Sequence, residues 1–303
     1  MKRNLRRRLV DVESHTLHVI IGSAILFVVG SAYLTQLYLS YQLNGADFGS
    51  YVHMFSTTVS GEGFLSFGRF GRNLHPENSY WGEHFSVTLL VFLPIFWLFS
   101  SPLSLLVAKS FVLAASVPVL WFIARETTKS KTIAGAIVIS YALNPSLWSA
   151  WTFDFQEQIL VPLLIFTSYY LYQRRRNILS LVCLLLLLLT NEFLVYITLG
   201  YLSGLAISEY RNDRLRAQLS YISVGFGLAV IQYFISSRVM GMFSTSSEFQ
   251  VSTLSDVAQE MFNQNTISMS TLLRTMLNNP DLILSSLSSD FQTKVLFFGL
   301  LLL

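Results

Sequence analysis

Apolar residues in this chain fall in long unbroken runs, not in the alternation of a half-buried strand or the three-and-four spacing of a soluble helix. Four runs, 17–39, 103–124, 132–150 and 217–236, are long enough to cross a bilayer. About 20 residues are needed, because about 30 Å of hydrocarbon must be crossed at about 1.5 Å per residue. Four more runs, 85–99, 158–173, 177–190 and 193–208, are shorter and suit tilted half-helices or pairs broken at the membrane centre. A last run, from 295, stops with the chain at Leu303, too short to span. The first run exceeds a signal-peptide core and no small-residue cleavage pattern follows it, so it reads as an uncleaved span. The pattern predicts an all-α fold, a polytopic transmembrane helical bundle.

Two long polar segments interrupt the runs, 40–84 and 237–294. The second holds two amphipathic pieces, 252–262 and 268–277, suited either to lying along the membrane surface or to ordinary loop helices. The expected organisation is a basic N-terminus (1–16), a bundle (17–236) with an external loop at 40–84, an external polar segment (237–294), and the start of a further span (295–303).

Composition sharpens this picture. Of the 303 residues, 52% are hydrophobic and only 12% charged, about half the charge of a soluble domain, too little to cover a soluble surface of this size. The net charge of +3 comes from Lys2, Arg3, Arg6, Arg7 and Arg8; the rest of the chain is slightly acidic, which excludes a nucleic-acid surface. The single cysteine, Cys183, lies in an apolar run, so a disulfide scaffold and a cysteine metal site are both excluded. Lys/Arg bias assigns the N-terminus, 125–131, Arg174–Arg176 and 209–216 to the cytoplasm of a multi-pass cell-membrane protein. Residues 40–84 and 151–158 then face outward. That assignment clashes with a simple count: if 85–99 and 103–124 both cross, 125–131 lies outside. The charge evidence is preferred, with 85–99 behaving unusually.

Polar groups beside or within apolar runs carry the candidate chemistry, since a mid-membrane carboxylate costs roughly 2.5–3.5 kcal/mol. Asp47, just after the first run, is either a general base or cation ligand at a cavity rim, or a helix-capping residue; His53 lies six residues on. Glu83 and His84 precede an apolar run; Glu83 could cap its helix, and His84 could bind phosphate when protonated or a metal when neutral. Asp154 and Glu157 would share a face if helical and then suit a divalent cation or a carboxyl pair with one raised pKa. Glu192 interrupts the apolar stretch 178–208. It is either deeply buried in one bent helix or marks the junction of two short ones, and in both cases needs a partner or a wet cavity. Lys109 sits inside the second clean span, snorkelling to an interface or binding a lipid phosphate.

The segments DFGSYVHMFST, GEHFSVTLLVFLPIFWLFSSPLSLLVAKS, DFQEQILVPLL and LLLLTNEF, in that order, resemble a family of archaeal and bacterial predicted membrane proteins of unknown function. That family in turn resembles the C-class (GT-C) glycosyltransferases, which build an active site on the outer face of a helical bundle and use lipid-phosphate-linked sugars. The resemblance covers about residues 17–303 and rests on the order and spacing of the motifs. It implies Asp47 as catalytic base, Glu83 and His84 as the motif before the apolar run, Asp154 and Glu157 as a second acidic site able to hold a divalent cation, and Glu192 as the acidic end of the last motif. Gln156 stands where the family pattern has His, Val87 where it has Pro, and Asn191 where it has Lys. The loss of basic or imidazole groups implies weaker phosphate binding and an altered or inactive copy. Family members run past this length, so the resemblance also implies a C-terminally truncated chain.

On this reading the partners are membrane lipids and a polyprenyl-phosphate-linked sugar, and Asp47 takes a proton from the acceptor hydroxyl. A transporter or flippase-like protein without covalent chemistry is the first alternative and predicts Glu192 and Lys109 in one deep cavity, remote from Asp47. The enzyme reading predicts Asp47, His84 and Asp154 converging near the outer surface. A non-catalytic membrane scaffold is the third reading.

Overall fold

The computed structural model describes residues 2–43, 45–66 and 79–243. The amphipathic pieces 252–262 and 268–277 and the terminal run from 295 lie outside the described residues. Ten α-helices and no named strand make up the described part, the all-α bundle expected from the run pattern. In chain order they are α1 (Lys2–Leu39), α2 (Gly45–Ser60), α3 (Leu93–Phe99), α4 (Pro102–Thr128), α5 (Lys131–Ala142), α6 (Pro145–Thr152), α7 (Leu160–Gln173), α8 (Asn177–Leu188), α9 (Leu194–Arg211) and α10 (Leu215–Phe243). Local sequence sets the ends. Ser101 and Asn144 each accept a hydrogen bond from the first turn of the helix they precede, and a proline follows each. Ser100 and Lys129 adopt left-handed backbone where α3 and α4 stop.

Three helices are long and apolar enough to cross a membrane, His15–Leu39 of α1, α4 and α10; α5 and α6 form a fourth candidate, bent by 41° at their junction. The four clean runs of the sequence correspond to these elements. Of the best apolar window in α4, 61% is buried, against 17% in α1 and 33% in α10, so α4 is the central span and the others present aliphatic side chains outward. Leu17, Ile21, Ile25, Val28 and Val29 of α1 are all exposed, as a lipid-facing surface requires.

α1 and α4 pack antiparallel. Trp121 Nε1 donates to Thr16 Oγ1 at 3.5 Å, Ser23 Oγ to the Ala114 carbonyl at 2.7 Å, and Phe27 meets Phe111 edge to face. The middle contact has a local cause. Pro118 inside α4 has no N–H, which leaves the carbonyl four residues earlier, Ala114, without its helical partner, and Ser23 supplies one.

The run 85–99 behaves unlike a span: it is a 3-10 segment, Thr88–Phe92, followed by the seven-residue α3. With it removed from the count, α4 returns to the end where α1 begins. Arg174 pairs with Glu126, Gln173 Nε2 donates to Thr127 Oγ1 at 3.2 Å, and Asn177 Nδ2 donates to Gln218 Oε1 at 3.3 Å. Segments 125–131, 174–176 and 211–216 therefore gather at one end of the bundle. The clash between charge and count disappears.

Candidate functional site

The opposite end is assembled from three connections: the described residues between α1 and α4, the link 153–159, and the junction 189–193 between α8 and α9. Phe155 lies at its centre, fully buried, with the rings of Tyr51, Phe55 and Phe92 packed edge-on at 5.4, 6.1 and 5.1 Å. Aromatic packing therefore fixes the acidic residues on either side of Phe155.

The helix α2 lies in what the sequence presented as an external loop. Phe48, Tyr51, Met54 and Phe55 are buried, whereas Asp47 and His53 are exposed. Asp47 sits in the first turn, where a carboxylate complements the positive end of the helix dipole. One residue on, the Phe48 N–H donates to Asp154 Oδ2 at 3.3 Å. Asp154 is itself 1% exposed and acts from a distant segment as an anchor for this helix end. Asp154 and Glu157 do not share a helical face. α6 ends at Thr152, Gln156 is extended, and Glu157 opens a 3-10 turn. The Lys109 amine, fully buried on α4, donates to the carbonyls of Phe153 (2.5 Å) and Asp154 (3.1 Å).

Glu157 is completely buried and filled with donors. Tyr51 Oη donates to Oε2 at 2.6 Å, Tyr80 Oη to Oε1 at 3.2 Å and Asn191 Nδ2 to Oε1 at 3.1 Å. The two phenol oxygens are 3.0 Å apart. Burial, and then the nearby Glu157 charge, push both phenols well above their ordinary pKa, so they remain donors. Among the described residues no group of three or more His, Cys, Asp or Glu gathers as a metal site. Glu157 already accepts from three O–H and N–H donors, and Asp154 accepts the Phe48 N–H.

Asn191 leads directly to Glu192, at the junction of two short helices. Glu192 is 3% exposed; its Oε1 lies 2.8 Å from His84 Nδ1 and its Oε2 accepts the Phe85 N–H at 3.0 Å. The His84 side chain is 28% exposed, with Tyr80 and Phe193 against its ring. Burial alone would lower the imidazole pKa. The Glu192 hydrogen bond and charge, helped by Glu157 and Glu83, outweigh it and raise the value above that of a free histidine. Glu83, half-buried beside it, is raised by burial, partly offset by His84. It closes the 3-10 turn Tyr80–Gly82, its N–H donating to Tyr80, and so caps no following helix.

Two departures from the resemblance described above have structural counterparts. The Val87 N–H donates to the Leu189 carbonyl at 2.8 Å, a bond that proline could not make. Asn191 donates to Glu157 where a lysine would bring a charge. Sequence reasoning missed Tyr51 and Tyr80 as site residues; their signal was a phenol within a helical turn of a candidate carboxylate or imidazole. An apolar crevice of about 710 Å³, lined by Phe27, Val91, Ile95, Phe99, Val107 and Phe111, reaches inward to Phe92, whose ring packs on Phe155.

No curated protein and no solved structure matches the chain. Residues 37–303 match a family model described as Predicted membrane protein (DUF2079). The matched segment takes in every residue of the polar end, from Asp47 to Glu192, as well as the α4 and α10 spans. The chain, a membrane protein by its apolar helices as well as by this match, belongs to the DUF2079 family.

Proposed function

We propose that this chain is a membrane glycosyltransferase-like protein that takes a sugar from a polyprenyl-phosphate-linked donor at the outer face of the plasma membrane. Its N-terminus is then cytoplasmic, as the gathering of basic residues at the opposite end favours. The observation that carries the reading is the position of Asp47. Its carboxylate is exposed on the first turn of α2, and that helix is joined through Tyr51, Glu157, Asn191 and Glu192 to the partly exposed imidazole of His84. The transport alternative requires Glu192 and Lys109 to face one cavity. Instead the Lys109 amine is taken up by backbone carbonyls and Glu192 by His84 and Phe85.

In the proposed reaction Asp47 accepts the proton of an acceptor hydroxyl as that oxygen attacks the anomeric carbon. The bond from the anomeric carbon to the phosphate oxygen breaks, and polyprenyl phosphate leaves with the electron pair. His84 in its charged form, favoured by Glu192, faces the phosphate. The apolar crevice beside Phe92 suits the lipid chain.

The test is reconstitution of the full chain in liposomes with a labelled polyprenyl-phosphate sugar and a hydroxyl-bearing acceptor. The proposal expects label to move covalently to the acceptor. Movement of intact donor between leaflets without transfer would replace it with the flippase reading, and neither activity would leave the scaffold reading.

A further inference from the structure

A second role for the acidic segment follows from where its hydrogen bonds end. We infer that Lys109, Asp154 and Glu157 are positioning residues that clamp α2 onto the α4 span and thereby set where Asp47 stands. This inference rests on the glycosyl-transfer reading for its catalytic consequence, but its structural content is independent of that reading.

The clamp has two arms. In the first, the Lys109 amine on α4 holds the carbonyls of Phe153 and Asp154. The Asp154 carboxylate then accepts the Phe48 N–H, one residue from Asp47. In the second, Glu157 takes the Tyr51 hydroxyl at 2.6 Å, four residues after Asp47 and so one helical turn away. Phe155, between the arms, packs on Tyr51 and Phe55 of α2. Tyr38 at the end of α1 closes on Phe48 from the other side.

The surroundings explain why these groups are polar when apolar residues would pack as well. A lysine with no exposed surface is expensive. Two backbone carbonyls of a non-helical link are acceptors that need a donor in a dry interior, and a long amine reaching from a span can serve both. The second arm uses a carboxylate because it can accept from three donors at once, drawn from the chain on either side of the 67–78 segment and from the α8–α9 junction. Three otherwise separate pieces of chain are thus tied to one side chain. A catalytic base must be held to well under an ångström, and the first turn of a helix reached by a short linker after a span has no such rigidity of its own.

The test reads the seating of α2 by thiol chemistry. In a Cys183→Ala background, cysteine is placed at Ser50, which is buried, or at Gly49, which is exposed and has open space around a built Cβ. Labelling of Ser50→Cys with a water-soluble maleimide should be slow and that of Gly49→Cys fast. Adding Glu157→Ala or Lys109→Met should speed labelling of Ser50→Cys roughly tenfold or more, the opening shift expected when a buried hydrogen-bond set is removed. Gly49→Cys should label at an unchanged rate, which controls for reagent access, and a cooperative thermal transition in detergent should report a folded chain. Glu157→Gln, retaining one acceptor oxygen, should fall between parent and alanine, and this partial rescue separates positioning from general loss of fold. If sugar transfer is present, the same variants should lower kcat and leave KM for the donor near the parent value. Ser50→Cys remaining as protected in Glu157→Ala and Lys109→Met as in the parent would overturn the clamp. Absence of sugar transfer in the parent would overturn the functional reading while leaving the labelling result intact.

Discussion

Two buried polar clusters hold this bundle together, and they differ in kind. Between α7, α8 and α10, Ser168, Ser180 and Tyr221 meet through neutral groups: Ser180 Oγ donates to the Ser168 carbonyl at 2.7 Å and lies 2.8 Å from Tyr221 Oη. A hydroxyl can either give or accept, so a lost member of that seam can be replaced by re-pairing. At the other end Glu157 only accepts, and Tyr51, Tyr80 and Asn191 are each committed to it. Neutral hydroxyls serve as adaptable glue between apolar helices. A buried carboxylate filled by directed donors fixes one geometry, and that is what a chemical site requires.

The largest effect should come from Glu157→Ala, which leaves three buried donors without their acceptor. We expect a loss of about 3 kcal/mol or failure to accumulate in membranes, read as detergent-solubilised thermal unfolding. A loss near zero would place the site cluster in the same class as the hydroxyl seam.

Next comes the His84–Glu192 pair. Because the folded pKa of His84 is raised, the stability it contributes is fully present below the unfolded value, about 6.5, and is lost as pH rises through the folded value. Unfolding temperatures followed from acid to alkaline pH should therefore fall across that window, and Glu192→Gln should flatten the fall. Glu83 and Glu157 also face the imidazole electrostatically, so some slope should survive. An unchanged slope in Glu192→Gln would show that the pair is not charged in the folded state.

Ser180→Ala should have the smallest effect, about 0.6 kcal/mol, the typical value for an interhelical hydroxyl bond in a membrane bundle. A loss as large as that of Glu157→Ala would erase the distinction between the clusters.

The sequence made the spans plain because bilayer thickness imposes a minimum run length, and α1, α4, α10 and the α5–α6 pair all follow it. The segment 85–99 was apolar enough to pass for a span. What shortens it is the Leu189 carbonyl, which draws the N–H groups of Val87 and Thr88 out of a helical ladder, a long-range contact that no local pattern reveals. In α2 the apolar spacing Phe48, Tyr51, Phe55 marks the buried face, whereas the more conspicuous Asp47 and His53 are exposed. The carboxylates were legible because charge is conspicuous in an apolar chain; their donors were not. Tyr51, Tyr80 and Asn191 are ordinary polar residues until the fold brings Glu157 to them. Lys109 was conspicuous too, yet its partners are backbone carbonyls, which every residue carries and sequence therefore cannot single out.

The proposed sugar transfer depends most directly on Asp47. Transfer of labelled sugar from polyprenyl-phosphate donor to acceptor should be measured for the parent chain and for Asp47→Asn, with donor binding followed in parallel. A general base contributes about 10²–10⁴-fold, so Asp47→Asn should bind donor like the parent and transfer it at least about a hundredfold more slowly. Transfer by Asp47→Asn at the parental rate would contradict the account.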